Sequence, residues 1–531
     1  MGLTTKLENR LKEHQKIYTM VELEKLILDL HKEFNCDIEK IQKKICKYIV
    51  ITYNKIRIDI TCNNDINYSD LKKQMKNPFP RIKVKEMKEE QKEETKPIKQ
   101  SNLKTYKHPT EKIKYIKKQD ILFGPFGTQW CHDEQCDDIL DEQTKGISKI
   151  VEKLMKIEYP EQRSKEWFDL RESRVTASDG GCVIGVNHYE LPYKFLMKKV
   201  LKPPFQTNSA CYHGTKLEQI ATMIYSYRMN VQVEEFGLIA HPKYSFLAAS
   251  PDGIVGKYKL DGKTLTKYVG RMLEIKCPVT RNINTTGEIY GTICPEYYWV
   301  QVQLQLECCD LKECDFWQCN ITEYDSRNDF IEDTNESEPY LSKETGFEKG
   351  CLIQLLPKHR YMDIKNGTVE YETVLYGESK FLYPPKIEMS PFDCDMFIAE
   401  SIANFEDVCK KGGIKHPEDY CIDKVIYWKL NKSHNVTIER DKEWFKKILK
   451  TIEKMWKYVE FFRKNEEKSK IFFDYINGLE LEKKKLSHDK RHKYNDEIME
   501  LAEHIYNEPN IEDKNAIKKY NEKINKLIKL K

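Results

Sequence analysis

The chain has 531 residues, of which 33% are charged and 40% hydrophobic, and its formal net charge is +4 at pH 7. This length allows more than one domain with a sizeable core. No apolar run approaches the about 20 residues of a membrane-spanning helix, so a membrane protein is not expected. Because the charge is nearly balanced, a nucleic-acid surface has to come from local clusters of basic residues.

The start of the chain and its cysteines favour an intracellular, non-secreted protein. The first residues, Met-Gly-Leu-Thr-Thr-Lys (1–6), lack the apolar core of a signal peptide. Lys6 stands where a myristoylation pattern requires Ser or Thr. The 17 cysteines are scattered without a compact framework, which indicates reduced thiols.

Three segments precede the informative part of the chain. Residues 1–82 show apolar residues at helical spacing, which predicts a small α-rich domain. Residues 83–120 are mostly charged and polar and predict a linker, with a non-specific DNA contact as the alternative to a solvated tether. Residues 121–157 predict a helical lead-in. Cys131, His132 and Cys136 within it lack the partner pair of a standard zinc site.

The segment 164–179 predicts a helix followed by a capped turn. Trp167, Leu170, Arg171 and Arg174 recur at helical spacing, so an aromatic anchor can pack while two guanidiniums project. Arg presents a fork that matches phosphate oxygens. Thr-Ala-Ser-Asp (176–179) offers N-caps for a next helix, whose free amides suit a phosphate. The alternative is an amphipathic helix with surface arginines.

The next segments predict a helix and a hairpin. His-Gly-Thr-Lys-Leu-Glu (213–218) opens a helix through Tyr227, and Thr215 with Glu218 three residues later fits a capping box. Glu218 therefore has either a structural role or a place at a metal site. Residues 236–240 and 245–249 predict two strands of a hairpin that leads into Asp252.

The stretch 250–276 carries the strongest chemical signal. Leu-Glu-Ile-Lys (273–276) predicts a strand whose alternation puts Glu274 and Lys276 on one face. If Asp252 begins a neighbouring strand, two carboxylates and an ammonium converge, which suits a divalent cation and phosphodiester hydrolysis. This is the D…E-x-K pattern of the PD-(D/E)XK nucleases. The alternatives are a Ser-Pro-Asp-Gly turn and a solvated strand face.

A helix after Pro295 and a strand at 314–321 complete the central region. Gln301 and Gln305 share a face of that helix and predict a polar stripe on a buried element. Four cysteines in this region leave open an iron–sulfur nuclease of the same superfamily, although they lack Cys-x-x-Cys spacing: Cys308, Cys309, Cys314 and Cys319.

Five motifs in order resemble the lambda-exonuclease-like or YqaJ-type viral recombinases. They are Trp-Phe-Asp-Leu-Arg-Glu-Ser-Arg-Val-Thr-Ala-Ser (167–178), Gly-Thr-Lys-Leu-Glu (214–218), Ser-Pro-Asp-Gly (250–253), Leu-Glu-Ile-Lys-Cys-Pro (273–278) and Tyr-Trp-Val-Gln-Val-Gln (298–303). Residues 436–445 resemble the family's last strand and long closing helix, with Asp441 as N-cap. The resemblance covers about 158–465, interrupted by an insertion at about 324–424, and a C-terminal helical extension follows at 466–531.

The resemblance implies a role for each matching residue. Asp252, Glu274 and the Ile275 carbonyl look like metal ligands, and Glu218 looks like the carboxylate that supports a second ion. Lys276 would orient or help deprotonate the attacking water. Gln301 corresponds to the family's active-site glutamine, with Gln303 as a companion. Arg171 and Ser178, joined by Arg174, match the pocket for a DNA 5′-phosphate.

The resemblance also implies the fold and activity. We expect an α/β fold with a mixed sheet flanked by helices, two Mg²⁺ or Mn²⁺ ions, and 5′-to-3′ degradation of one strand of linear duplex DNA. A homo-trimeric ring and a single-strand annealing partner are implied, in a large DNA virus (host cytoplasm, viral factory or virion). The alternatives are a structure-specific endonuclease and a catalytically idle DNA-binding scaffold.

Overall fold

The computed structural model describes residues 142–160, 164–203, 207–479, 481 and 486–507. The predictions for residues 1–82 and 83–120, for the cysteine and histidine cluster at 131–136 and for the end of the C-terminal extension lie outside the described residues. The described chain divides into two compact units. The larger unit comprises residues 142–322, 345–348 and 429–507, and the smaller unit comprises residues 323–344 and 349–428.

The helices and strands follow one another in this order: α1 (Glu142–Met155), α2 (Lys165–Glu172), β1 (Val175–Thr176), α3 (Gly180–Val183), α4 (Pro192–Leu201), α5 (Ser209–Met229), β2 (Val233–Glu234), β3 (Ile239–Ala240), β4 (Leu247–Ala249), β5 (Gly253–Val255), β6 (Met272–Lys276), α6 (Glu296–Cys309), β7 (Glu313–Glu323), α7 (Arg327–Glu332), β8 (Lys349–Pro357), α8 (Lys358–Lys365), α9 (Tyr371–Glu378), β9 (Lys380–Leu382), α10 (Pro391–Ala403), α11 (Phe405–Lys411), β10 (Tyr420–Glu439), α12 (Lys442–Lys464), α13 (Glu466–Gly478) and α14 (His488–Asn507). Short 3₁₀ turns lie at Ala177–Asp179 and Pro417–Asp419.

The larger unit is built on a mixed sheet with the strand order β2-β5-β6-β7-β10. Strand β5 pairs antiparallel with both β2 and β6, whereas β6 pairs parallel with β7. A parallel pair needs a crossover, and helix α6 provides it between β6 and β7. Helix α5 packs against β6. The α/β class with a mixed sheet flanked by helices is therefore confirmed.

A second, three-stranded sheet in the order β1-β4-β3 precedes Asp252 in the chain. Strands β3 and β4 pair antiparallel with Ile239 opposite Ala249, so the predicted hairpin is confirmed. Strand β1 pairs parallel with β4, with Val175 opposite Leu247. The segment after helix α2 thus lies beside the strand that runs directly into Ser250 and Asp252.

Several predicted helix boundaries were wrong. Helix α2 ends at Glu172, so Arg174 lies beyond it. Helix α5 begins at Ser209 with Asn208 as its N-cap, which places Thr215 and Glu218 in its interior. The capping-box interpretation of those two residues is therefore wrong, because an interior residue has no free helix terminus to cap.

The predicted closing strand and helix are confirmed. Strand β10 ends at Glu439, and the Asp441 side chain accepts a hydrogen bond from the Trp444 amide at the start of α12. The predicted apolar stripe of α12 is buried: Phe445, Ile448, Ile452, Met455 and Val459. Helices α13 and α14 continue the helical extension.

The smaller unit has a hydrophobic core of its own, which includes Phe330, Ile353, Leu355, Leu382 and Cys394. Residues 420–428 of β10 belong to this unit, where the strand order is β10-β8-β9. Among the helices that the structure describes in either unit, none is both long enough and apolar enough to cross a membrane.

Candidate active site

Glu274 is the centre of the candidate site. It lies on β6 between two paired strands, and its side chain is fully buried. Lys276 Nζ donates to Glu274 Oε1, and Gln301 Nε2 donates to the same oxygen over 2.7 Å. Gln305 Nε2 donates to Oε2, also over 2.7 Å. The predicted convergence of Glu274 and Lys276 is observed, but on a buried face rather than the solvated one of the alternative reading.

Asp252 lies next to this cluster at the start of β5. Its Oδ2 accepts a hydrogen bond of 2.6 Å from the Ile275 amide on β6. Burial raises the pKa of Asp252 well above its usual value, and the carboxylates of Glu274 and Glu218 raise it further, while Lys276 opposes them. Like charges are therefore close together in a poorly solvated place. A bound cation would relieve that repulsion.

Lys276 keeps its proton in this environment. Burial disfavours the ammonium, but Glu274 and Asp252 outweigh this effect and raise the pKa of Lys276 above its usual value. Its Nζ also lies 4.7 Å from the centroid of the Tyr298 ring. Lys276 is thus a permanent positive charge beside two carboxylates, which suits charge stabilisation better than proton removal.

Helix α6 supplies two glutamines to Glu274, but they are not the pair that the family motif indicates. Gln301 and Gln305 hold one carboxylate oxygen each, as their four-residue spacing allows. Gln303 points elsewhere, since its Nε2 donates to the Glu439 carbonyl over 2.7 Å and its Oε1 accepts from the Asp441 amide over 2.6 Å. Gln303 therefore fixes the start of α12, and Gln305 was missed as the partner.

Gln305 also binds the loop that carries Asp252. Its Nε2 lies 3.3 Å from the Ser250 carbonyl oxygen, so one amide group joins α6, β6 and this loop. The Gln305 Oε1 atom is buried and accepts a hydrogen bond from none of the described residues. A buried amide with an unsatisfied oxygen is costly, which indicates that this side chain is not there for stability alone.

Glu218 acts on the site through its charge. It is exposed on α5, and its charge raises the pKa of both Asp252 and Cys277. Ile275 lies in the centre of β6 with a buried side chain, and its amide is the donor to Asp252.

The donor chemistry at this site fits a hard divalent cation, because carboxylate oxygens are the ligands that Mg²⁺ and Mn²⁺ prefer. The charges of Glu274 and Glu218 raise the pKa of Asp252, as expected of carboxylates that share a cation site. Within the described residues, however, no three His, Cys, Asp or Glu side chains are already arranged as a metal-ligand group. Both oxygens of Glu274 are engaged by nitrogen donors instead.

A second cluster contains Arg171 and Ser178. Arg171 Nη2 lies 3.3 Å from Ser178 Oγ and 3.4 Å from Thr176 Oγ1, and its guanidinium stacks 4.7 Å from the centroid of the Trp167 ring. Arg174 turns away, because its Nη1 donates to the Leu170 carbonyl and the Ser173 hydroxyl. The structure brings the first pair together and leaves Arg174 outside it.

Asp179 anchors this second cluster. It is buried, lies 2.9 Å from Lys199 Nζ, and accepts hydrogen bonds from the amide and the hydroxyl of Thr176. Burial opposes its charge, but Lys199, Lys198 and Arg171 hold the pKa of Asp179 well below its usual range. The capped turn was predicted correctly. The Thr176 amide is occupied by Asp179, so it does not serve as a free phosphate donor.

Tight packing joins the Arg171–Ser178 cluster to the helix of the two glutamines. A Cβ on Gly180 would lie 2.3 Å from Leu304 Cδ1, and one on Gly181 would lie 2.7 Å from Tyr297 Cβ. Only glycine allows α6 to approach this closely. The two clusters are thus held by one packed unit of helix α6, strand β1 and strand β4.

The four cysteines of the iron–sulfur alternative lie apart from this chemistry. Cys308, Cys309, Cys314 and Cys319 are all buried and free. Burial raises the pKa of each thiol, which disfavours the thiolate that a cluster needs. No metal-ligand group is formed by them within the described chain.

The arrangement defines a class. Asp252 precedes β5, Glu274 and Lys276 share one face of the adjacent β6, and α6 crosses to the parallel strand β7. This arrangement is similar to that of the PD-(D/E)XK α/β domains. Residues 166–312 match the model of the YqaJ-like viral recombinase domain, so the recognition drawn from the five motifs is confirmed.

Two viral proteins are similar over larger parts of the chain. An uncharacterized protein of Acanthamoeba polyphaga mimivirus is 42% identical over 316 residues, which are 59% of this chain and 55% of that protein. A protein of African swine fever virus is 26% identical over 240 residues, which are 40% of this chain and 66% of that protein. The chain therefore spans between 55% and 66% of the length of these relatives.

Solved structures show a weaker likeness. The crystal structure of an alkaline exonuclease from Laribacter hongkongensis is similar with a TM-score of 0.29 and 17% identity, covering 58% of this chain and 97% of that chain. The structure of the same enzyme in complex with dAMP gives the same values.

Proposed function

We propose that the protein is a divalent-metal-dependent deoxyribonuclease that degrades one strand of linear duplex DNA from its 5′ end. The observation that carries this proposal is the buried Glu274 carboxylate, held by Lys276, Gln301 and Gln305 beside Asp252. Burying a charged carboxylate is expensive, and two amides and an ammonium fixed on it indicate a preorganised site rather than a structural ion pair.

The proposed reaction is hydrolysis of a phosphodiester. A water oxygen forms a new bond to phosphorus, the bond from phosphorus to the 3′ oxygen breaks, and that oxygen leaves with a proton. Lys276 stabilises the negative charge that develops on the phosphoryl oxygens, because its environment keeps it protonated. Gln301 and Gln305 hold Glu274 in one orientation throughout.

The proposed cofactor is Mg²⁺ or Mn²⁺, with two ions. Asp252, Glu274 and the Ile275 carbonyl would hold one ion, and Glu218 would support the second. When bound, such ions lower the pKa of water and neutralise phosphoryl charge. Binding requires Glu274 to exchange at least one nitrogen donor for the ion, and Lys276 is the donor able to move, since its side chain is long and only partly buried.

The 5′ direction rests on Arg171 and Ser178. A guanidinium backed by the Trp167 ring and a hydroxyl on a capped turn offer a fork and a neutral donor to a terminal phosphate. Cleavage of the bond to the 3′ oxygen leaves a new 5′-phosphate on the shortened strand. The same cluster can therefore receive the end again after every cut, which favours an exonuclease over internal cutting.

The biological setting follows from the relatives. Both are proteins of large DNA viruses, so we propose a viral protein that acts inside the host cell in recombination or repair. A 3′ single strand left by the reaction would be the substrate of a single-strand annealing partner. A homo-trimer around the DNA is part of the same proposal.

The test is digestion of linear duplex DNA with Mg²⁺, with 5′-phosphate and 5′-hydroxyl ends compared and a closed circle as control. Progressive loss of the 5′-phosphorylated strand with an intact circle is the expected result, and chelation of the metal should stop it. Nicking of the circle would favour a structure-specific endonuclease. No cleavage with any divalent metal would favour an idle DNA-binding scaffold.

A further inference from the structure

A cavity of about 500 Å³ opens between the loop before α4 and helix α14 of the larger unit. This volume lies in the range of about 300–1,000 Å³ that suits one small ligand or nucleotide. Its lining combines aromatic and basic side chains with two leucines: His188, Tyr189, Leu191, Tyr193, Lys194, Leu481, Leu486, Ser487, Arg491 and Tyr494. No carboxylate is among these described lining residues.

Aromatic rings stand open to solvent at the mouth of this cavity. Tyr189 is 69% exposed, although a tyrosine ring gains most from burial. Its ring centroid lies 4.0 Å from that of His188 and 5.9 Å from that of Tyr297. An exposed ring that is held by other rings, rather than left as a loose side chain, forms a stacking platform.

Basic side chains lie beside the platform. Lys194 and Arg491 line the cavity, and Arg491 is exposed on α14. Burial lowers the pKa of His188, and the nearby His488 and Arg491 lower it further, as expected where cationic groups gather. Anionic ligands are therefore favoured here over cationic ones.

One ring that holds Tyr189, that of Tyr297, lies on the helix of the candidate active site. Tyr297 precedes Gln301 by four residues on α6, and Gln301 binds Glu274. Tyr297 also packs against Gly181, three residues after Ser178. Tyr297 thus links the Tyr189 ring to the segments that carry both clusters. One wall of the cavity comes from α14, outside the residues that match the recombinase domain.

We propose that this cavity holds an unpaired nucleotide of single-stranded DNA, with its base on Tyr189 and its phosphate near Lys194 and Arg491. Aromatic platforms with basic neighbours bind single strands, because every base has a face to stack. A duplex hides those faces between base pairs. The proposal rests on the proposed function for the identity of the ligand as DNA, and it assigns the C-terminal helix α14 a role in holding the processed substrate.

The experiment measures binding of a fluorescent oligo-dT to the full chain in EDTA, so that no cleavage takes place. Tyr189→Ala should weaken binding by about tenfold. An oligonucleotide of abasic residues should bind the variant and the unaltered protein equally, because only the base contact is lost. Arg491→Gln should reduce the slope of log K against log salt by about 0.7.

Matched controls separate this site from general surface effects. Tyr361→Ala removes another exposed tyrosine, in the smaller unit, and Lys490→Gln removes the same charge from the neighbouring position on α14. Both should leave oligo-dT binding unchanged. Equal binding by Tyr189→Ala and the unaltered protein, or an equal loss with the abasic oligonucleotide, would overturn the proposal. Binding of a peptide rather than oligo-dT in this cavity would also overturn the proposal.

The same preparations distinguish this proposal from the proposed function. If Mg²⁺ supports digestion but Tyr189→Ala binds oligo-dT normally, the nucleotide site is wrong and the nuclease stands. If no metal supports digestion but Tyr189→Ala loses oligo-dT binding that depends on bases, the nuclease is wrong and the nucleotide site stands.

Discussion

The Glu274 cluster and the Arg171–Ser178 cluster lie in the same packed unit. They differ in burial and in how completely their polar atoms are hydrogen-bonded within the protein. Glu274 is fully buried, and both of its oxygens accept short hydrogen bonds. Arg171 and Ser178 meet over 3.3 Å at the surface, and Ser178 is exposed. The first arrangement is preorganised before any ligand arrives, whereas the second leaves room for one. We infer that the first performs chemistry and the second selects the end.

This difference predicts the largest effect at the buried cluster. Lys276→Ala or Asp252→Asn should lower the rate of cleavage by about 10³-fold or more, because each removes a charge that acts on the reacting phosphate. Duplex binding in EDTA should change little. Cleavage and binding are measured on the same DNA, with circular dichroism as a check of folding. A clean preparation of either variant that retains normal cleavage would contradict the assignment of the site.

The next largest effect separates two buried glutamines on one helix. Gln305→Ala should reduce the cleavage rate by about 10- to 100-fold, because it frees Glu274 Oε2 and loosens the carboxylate. Gln303→Ala is the matched control, since Gln303 holds the Glu439 carbonyl and the Asp441 amide instead. It should lower the melting temperature and leave the rate per folded molecule unchanged. Equal rate losses in both variants would show that Gln305 acts only through packing.

A smaller effect should appear at the surface cluster. Arg171→Ala should reduce the preference for 5′-phosphate over 5′-hydroxyl ends by about tenfold, since a charged hydrogen bond contributes about 1.5–3 kcal/mol. Arg174→Ala removes the same charge three residues later from a side chain that binds Leu170 and Ser173. The ratio of initial rates on the two ends is the readout. If Arg174→Ala also lost the preference, the end pocket would need both arginines.

Local patterns in the sequence predicted the parts of both clusters that local structure determines. The alternation in β6 placed Glu274 with Lys276, and the four-residue spacing placed Gln301 with Gln305 on one face of α6. Contacts between segments that are distant in the chain could not be predicted from these local patterns. Gln303 binds residues 136 and 138 positions away. Helix α5 starts at Ser209 with Asn208 as its N-cap, so the local signal at Thr215 and Glu218 was overridden by an earlier cap.

The smallest effect concerns stability without metal. Burial and two neighbouring carboxylates raise the pKa of Asp252 in the folded state, so the stability associated with its protonated form is present below the usual pKa of about 4 and is lost as pH rises. At neutral pH Asp252 therefore opposes folding, because its carboxyl group ionises less readily in the folded state than in the unfolded chain. Asp252→Asn keeps an acceptor for the Ile275 amide and removes the charge.

In EDTA at pH 7, Asp252→Asn should therefore melt about 2–4 °C above the unaltered protein, which corresponds to about 1 kcal/mol in a domain of this size. The difference in melting temperature between the variant and the unaltered protein should become smaller as pH falls toward 4. Added Mg²⁺ should raise the melting temperature of the unaltered protein more than that of the variant, because a ligand stabilises the state that binds it. If the variant had a lower melting temperature than the unaltered protein in EDTA, the role of Asp252 would be to hold β5 to β6 rather than to bind a cation. The buried cluster would then be a structural ion-pair network, and its contrast with the open Arg171–Ser178 cluster would no longer distinguish chemistry from selection.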